Sequence, residues 1–190
     1  MSTTPPKAKA AFIDRDGVIN EERGYVHRVE DFVLLPGVVE GLALLRDAQF
    51  RLVVVTNQAG IARGYYGLDA VDRLHRHMRA LLAAGGVHLD AIYFCPHHPE
   101  GAVAAYATEC ACRKPAPGML MQAAAELDLH LPASVLIGDK LSDIQAGRRA
   151  GVGMTALVES GHALDDAARA QADIVAPDLL QAARRLTLDR

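Results

Sequence analysis

An α/β fold, a parallel sheet covered by helices on both faces, is predicted by three observations. Short apolar runs alternate along the chain with stretches of helical periodicity. The run Leu52-Val53-Val54-Val55 is continuously apolar and largely β-branched, as in a strand buried on both faces. Polar residues gather directly after several strand-like runs, where an open parallel sheet binds its ligands.

The first strand is expected at Ala10-Ala11-Phe12-Ile13, followed by a helix on Val38, Leu42 and Leu45. Leu52 to Val55 gives the second strand. A helix starting near Leu68-Asp69 carries Val71, Leu74, Met78, Leu81 and Leu82. Its His75 and His77 lie two apart, point to different faces and are expected in solvent. Ala91 to Phe94 is the third strand. Pro117-Gly118 opens a helix with Met119, Leu120, Ala123, Ala124 and Leu127; Met119 and Met121 are expected to pack inside. Val135 to Ile137 follows, then a helix from Asp143 to Ala150 with Ser142 as its cap and Gly151 as its stop. Thr155 to Val158 and Ile174-Val175 are shorter strand candidates, and residues 178–186 close the chain as a helix. No repeat or linker interrupts this order, so residues 1–190 read as a single domain.

At 190 residues with 51% hydrophobic content, the chain can bury a sizeable core. A net charge of −3 without a cationic run argues against a nucleic-acid partner. No apolar run reaches the ~18 residues of a membrane helix. Met1 to Lys9 lacks the apolar centre of a signal peptide, so a cytoplasmic location is the default expectation.

Phe12-Ile13-Asp14-Arg15-Asp16-Gly17 puts two carboxylates at a strand tip before a glycine turn. Such a group suits Mg²⁺, a hard ion that takes oxygen ligands beside phosphates. It equally suits nucleophilic catalysis by a carboxylate. Thr56-Asn57-Gln58, Arg113-Lys114 and Asp139-Lys140 follow other elements onto the same rim. Cys95-Pro96-His97 and Cys110-Ala111-Cys112 form two tight pairs with 12 residues between His97 and Cys110. Two pairs of N/S ligands suit a closed, structural Zn²⁺ site. The alternatives are three buried free cysteines, or His98 in place of His97. The segment between the pairs has little periodicity of its own, so a metal staple would give it shape.

These motifs resemble the haloacid dehalogenase superfamily of phosphatases, whose four-part signature matches Asp14-x-Asp16, Thr56, Lys114 and Gly138-Asp139-x-x-x-Asp143. Asp14-Arg15-Asp16-Gly17-Val18-Ile19-Asn20, Gly24-Tyr25-Val26-His27, Thr56 to Gly64 and Cys112-Arg113-Lys114-Pro115 are similar to the D-glycero-D-manno-heptose 1,7-bisphosphate phosphatase family. The resemblance implies a Rossmann-like three-layer sheet with no large cap domain and a zinc-stapled loop at 95–112. The segment from Gly17 to Pro36 is too short for an independent cap core.

The resemblance further implies a phosphoric monoester hydrolase. It would remove the 7-phosphate of a heptose 1,7-bisphosphate for surface polysaccharide precursors, with the β anomer as the default. No residue here distinguishes the anomers. Asp14 is then the nucleophile and Asp16 the general acid and base. As an acid Asp16 should have a raised pKa. Thr56 and Lys114 hold the phosphoryl oxygens. Mg²⁺ sits on Asp14, Asp139 and Asp16, the last through its backbone carbonyl. Zn²⁺ sits on Cys95, His97, Cys110 and Cys112. Glu22, Arg23, Gly24, Tyr25, Asn57, Gln58, Arg113 and Lys140 are the candidate substrate-binding residues. Asp143 is either part of the site or only a helix start, and Arg113 competes with a plain surface ion-pair role. The expected partner is a small phosphorylated sugar, and the expected state a monomer. The other readings are a histidinol-phosphate phosphatase, a DNA-end phosphatase and a non-catalytic zinc-stapled binding module.

Overall fold

The computed structural model describes residues 7–164 and 166–188. The polar leader at residues 1–6 lies outside them. Six strands form one parallel sheet: β1 (Lys9–Ile13), β2 (Phe50–Asn57), β3 (Ala91–Cys95), β4 (Val135–Gly138), β5 (Met154–Val158) and β6 (Ile174–Ala176). Helices separate them: α1 (Val38–Asp47), α2 (Ala59–Ala62), α3 (Leu68–Ala84), α4 (Gly118–Glu126), α5 (Leu141–Ala150), α6 (Asp166–Gln171) and α7 (Leu179–Leu188).

Strand alternation sorts the core into two layers. Ala11, Ile13, Leu52, Val54, Val135 and Ile137 face one side, where α1, α3 and α7 pack through Leu42, Leu74, Met78 and Leu186. Ala10, Phe12, Val53, Val55 and Leu136 face the other, against Met119, Leu120 and Ala146 of α4 and α5. This is the three-layer sandwich expected from the alternation.

The sheet order is β3-β2-β1-β4-β5-β6. The chain therefore winds one way from β1 through β2 to β3, and the other way from β4 to β6. The reversal between β1 and β4 opens a crevice at their carboxyl ends, where doubly wound sheets bind ligands. Asp14 follows β1 and Asp139 follows β4 at that point.

No cap domain covers the crevice among the described residues. The segment between β1 and α1 holds only a 3-10 turn at Val29–Asp31, and its Val18, Ile19, Val26 and Phe32 join the main core. Three local expectations need correction. The cap of α5 is Lys140 rather than Ser142, with Asp143 reaching back to accept the Lys140 backbone N–H at 3.0 Å. Met121 is half exposed rather than packed. His75 is 8% exposed, and the stripe Val71, Leu74, Met78 and Leu82 carries it inside.

Candidate active site and metal centres

A cavity of about 590 Å³ opens at the carboxyl rim of the sheet. Asp14, Asp16, Glu22, Gly24, Tyr25, Thr56, Asn57, Gln58, Arg113, Lys114 and Lys140 all line it. Arg23 does not. Its guanidinium turns to Glu21 at 2.6 Å on the surface, so the expectation of a substrate contact there is not met.

Lys114 Nζ lies 3.0 Å from Asp14 Oδ1, donates to the Val55 carbonyl at 2.8 Å and contacts Asp143 Oδ1. Burial works against the lysine's charge, but Asp14 and Asp143 outweigh it and raise its pKa. Lys114 is thus a fixed cation beside Asp14. Asn57 grips the backbone of Lys114 from both sides, donating to its carbonyl and accepting from its N–H, each at 3.0 Å. Its amide positions the lysine rather than facing free space. Asp143 is more than a helix start, since it is the second carboxylate on Lys114.

Burial pushes Asp14 up to about 6 despite Lys114, with Asp143 and Asp16 adding like charge. Asp139 is raised by burial and by Asp14. Asp14, Asp139 and Asp143 bring their ligand oxygens within 4.8 Å of one another. Asp139 Oδ1 is buried without a hydrogen-bond partner among the described residues. Its Oδ2 lies 2.6 Å from His162 Nδ1. Crowded, buried carboxylates with one oxygen unpaired fit a hard divalent cation, which would be held by Asp14, Asp139 and the Asp16 carbonyl. The approach is close because Gly17 and Gly161 carry no Cβ; one on either would collide with Asp139 Oδ2.

Asp16 departs from expectation. Burial would raise it, but the Arg15 guanidinium, with Asn20 and Gln58, holds it below the ordinary carboxylate range. Gln58 is the hub of this wall. Its Nε2 donates to Asp16 Oδ2 at 3.2 Å and Thr56 Oγ1 at 2.9 Å, and its Oε1 accepts from Tyr66 at 2.9 Å. Gly60 makes room for the tyrosine, since a Cβ there would strike its ring. Tyr66 in turn stacks on His27 at 4.7 Å.

The left-handed pair Gly24 and Tyr25, at φ 74° and 55°, turns the loop so that Tyr25 meets Tyr65 edge-on at 4.9 Å. Glu22 accepts from the Gly24 N–H at 2.7 Å and sits between Lys140, at 3.7 Å, and His162, at 3.9 Å. Arg113, Arg63 and His98 line the same cavity. Arg113 donates to the His97 carbonyl at 3.3 Å, and Arg63 meets His98 Nε2 at 3.4 Å. Arg63, Tyr66, His98 and His162 line the cavity without having been singled out from the sequence as binding residues. The first two lie within or beside a quoted motif, and His162 follows β5 at the same rim.

Arg113 joins this cavity to a second metal centre. Cys95, His97, Cys110 and Cys112 converge at the end of β3. The sulfurs lie 3.1 to 3.5 Å apart, and His97 Nδ1 is 3.4 Å from Cys112 and 3.7 Å from Cys95. Tetrahedral zinc with Zn–S of about 2.3 Å sets sulfurs roughly 3.8 Å apart, somewhat wider than this spread, so the three sulfurs already stand near enough to share one ion. The cysteines are unbridged, and the four ligands fit Zn²⁺. His98 lies in the cavity instead, so His97 is the histidine of the set.

A buried aspartate paired with a lysine and an acidic group able to hold a cation, at the switch of a parallel sheet, define a haloacid dehalogenase-type phosphohydrolase. The HAD-hydrolase-like family model matches residues 111–182. The chain is 46% identical over 166 residues to the D-glycero-beta-D-manno-heptose-1,7-bisphosphate 7-phosphatase of Yersinia pestis, covering 87% of this chain and 88% of the relative. It is 49% identical over 152 residues to the alpha-anomer 7-phosphatase of Burkholderia mallei, covering 80% of each. The structure of D,D-heptose 1,7-bisphosphate phosphatase from B. bronchiseptica, complexed with magnesium and phosphate, superposes with a TM-score of 0.80. Its identity is 33%, with 96% of this chain and 99% of that one covered. The chain belongs to the D-glycero-D-manno-heptose-1,7-bisphosphate 7-phosphatase family.

Proposed function

We propose that this protein is a Mg²⁺-dependent heptose 1,7-bisphosphate 7-phosphatase, a single phosphatase domain with the zinc loop 95–112 inserted. The observation that carries this reading is the cavity's charge pattern. Buried Asp14 and Lys114 line it together with two arginines, Arg63 and Arg113. One phosphate of a bisphosphate meets the nucleophile while the other meets the arginines. Planar guanidinium forks suit the second phosphate.

In this mechanism Asp14 attacks the phosphorus of the 7-phosphate, and Asp16 gives a proton to the departing sugar oxygen. Water then attacks the aspartyl phosphate, with Asp16 taking the proton back. Thr56 and Lys114 hold the phosphoryl oxygens and offset their charge, the main source of rate in phosphoryl transfer. When bound, Mg²⁺ would supply further positive charge to offset that of the phosphoryl group. The free site keeps Asp16 ionised, ready as the base. Its proton as acid is acquired with the substrate, because an incoming dianion raises a neighbouring carboxylate. Heptose 1-phosphate is the product, a precursor for surface polysaccharide.

His162 supports the cation site by engaging Asp139 Oδ2 and leaving Oδ1 free. Partners of metal ligands typically change affinity about 10–100-fold. His162→Ala is therefore expected to weaken Mg²⁺ binding by roughly tenfold or more, read by calorimetric titration without substrate. Unchanged affinity would remove His162 from the metal site.

The proposed working state is a monomer in the cytoplasm acting on a free sugar phosphate. No helix among the described residues is long and apolar enough to cross a membrane. Phosphate release with Mg²⁺ from both anomers of heptose 1,7-bisphosphate and from histidinol phosphate tests the substrate. Preference for either heptose anomer is expected and identifies which one is used. Preference for histidinol phosphate would discard the reading.

A further inference from the structure

Arg15 lies in sequence between the nucleophile and the acid, yet it is fully buried and does not line the cavity. Its Nη2 donates to both Asp16 oxygens, at 2.9 and 2.8 Å, and to the Val26 carbonyl at 2.9 Å. Its Nε adds a contact of 3.3 Å to Asp16 Oδ1. Nη1 lies 3.3 Å from His75 Nε2 on α3. A guanidinium has donors only, so Nε2 must be the unprotonated nitrogen that accepts. His75 packs edge-on to Phe94 at 5.8 Å, which fixes the ring. The Asp16 carboxylate is thus clamped to β3 and α3 through two side chains, while Asn20 and Gln58 complete its donor shell. A structural ion pair alone explains this poorly, because apolar residues of similar volume usually hold a core as well as a buried pair.

We propose that Arg15, anchored by His75, is a positioning residue that fixes the Asp16 carboxylate in the orientation for proton transfer to the leaving alcohol. The proposal rests on the reading of Asp16 as acid and base. It assigns work to the histidine that the periodicity of α3 places inside.

Leaving-group dependence separates positioning from plain stability. A sugar alkoxide needs a proton as it leaves, whereas a nitrophenolate leaves without one. The experiment follows the first turnover, as release of heptose 1-phosphate or of nitrophenolate from p-nitrophenyl phosphate. Asp16→Asn serves as the reference, and is expected to slow the sugar substrate about 10²-fold or more relative to the aryl one. His75→Leu should show the same split in weaker form, about tenfold on the sugar substrate, with KM unchanged. His75→Gln, which restores an acceptor near Nε2, should recover most of the rate. Arg15→Met should approach Asp16→Asn; an intact aryl burst in either His75 variant shows that the fold survives should Arg15→Met fail to fold. Equal losses on both substrates in His75→Leu, or no loss, would overturn the proposal while leaving the Asp16 assignment intact. Absence of the split in Asp16→Asn itself would overturn the acid reading and the proposal with it.

Discussion

Asp14→Asn is expected to abolish phosphate release, by at least about 10⁴-fold, and to stabilise the metal-free protein at the same time. The first half follows from chemistry: an amide cannot attack phosphorus and retain the group as an acyl phosphate. Rapid quenching with labelled substrate should find label on the parent protein and none on the variant. The second half follows from the buried carboxylates. Asp14, Asp139 and Asp143 crowd together with Lys114 paired to only two of them, Asp14 and Asp143, and burial pushes Asp14 up to about 6. A folded-state pKa above the unfolded value favours the protonated form in the fold. Its stabilising effect is complete below the unfolded pKa and is lost as pH rises to about 6. In chelator, Asp14→Asn should therefore match the parent near pH 4. At pH 7 it should exceed it by roughly 2 kcal/mol, since each pKa unit corresponds to about 1.4 kcal/mol. With Mg²⁺ added the order should reverse, because only the parent keeps the full carboxylate set. Residual turnover above 1% of the parent would remove Asp14 as nucleophile. A variant less stable than the parent in chelator at pH 7 would show that Lys114 needs Asp14 more than burial opposes it.

The layout of the sheet was legible because its signals are local. β-branched runs mark β2 and β4, and the polar residues after them fall at the switch point between β1 and β4. The reactive residues were legible because each sits on a short motif at the end of an element. What escaped needed tertiary information. Arg15 occupies the variable position of Asp14-x-Asp16, and nothing in the sequence says that its charge lowers Asp16 rather than meeting solvent. His75 was readable in principle, four residues after Val71 and three before Met78, but its spacing to His77 drew attention to the pair instead of the stripe. Ser160-Gly161-His162 obeys the same strand-end rule as Asp139. It lies beyond the family motifs, so its role emerges only where Ser160 donates to the Gly17 carbonyl at 2.7 Å and His162 reaches Asp139.

Cys110→Ala should lose zinc and, with it, recognition of the bisphosphate. The segment between His97 and Cys110 contains no helix or strand and is tied to the body by few bonds, such as the Val103 N–H to the Ala62 carbonyl at 2.9 Å. Its shape depends on four ligands, of which only Cys95 is anchored in β3. Removing one leaves three ligands, and structural zinc binding of about 10–16 kcal/mol weakens steeply. Part of that energy is folding energy of the hairpin. The sheet keeps its own core, so a loss of roughly 3 kcal/mol is expected, equivalent to about 6–12 °C in Tm. The chemical consequence is sharper than the thermal one. Arg113 is adjacent to Cys112 and bonds to the His97 carbonyl, while His98 holds Arg63. Both guanidiniums therefore lose their positions when the hairpin loosens, whereas Asp14, Asp16 and Lys114 rest on β1, β2 and α5. KM for heptose bisphosphate should rise about tenfold or more, with the first-turnover rate on p-nitrophenyl phosphate within a few-fold of the parent. Elemental analysis gives the zinc content of the same preparation. Lost activity with zinc still bound would mean that the metal does not organise the loop. Equal loss on both substrates would mean that the hairpin supports the catalytic residues and not only the phosphate-binding arginines.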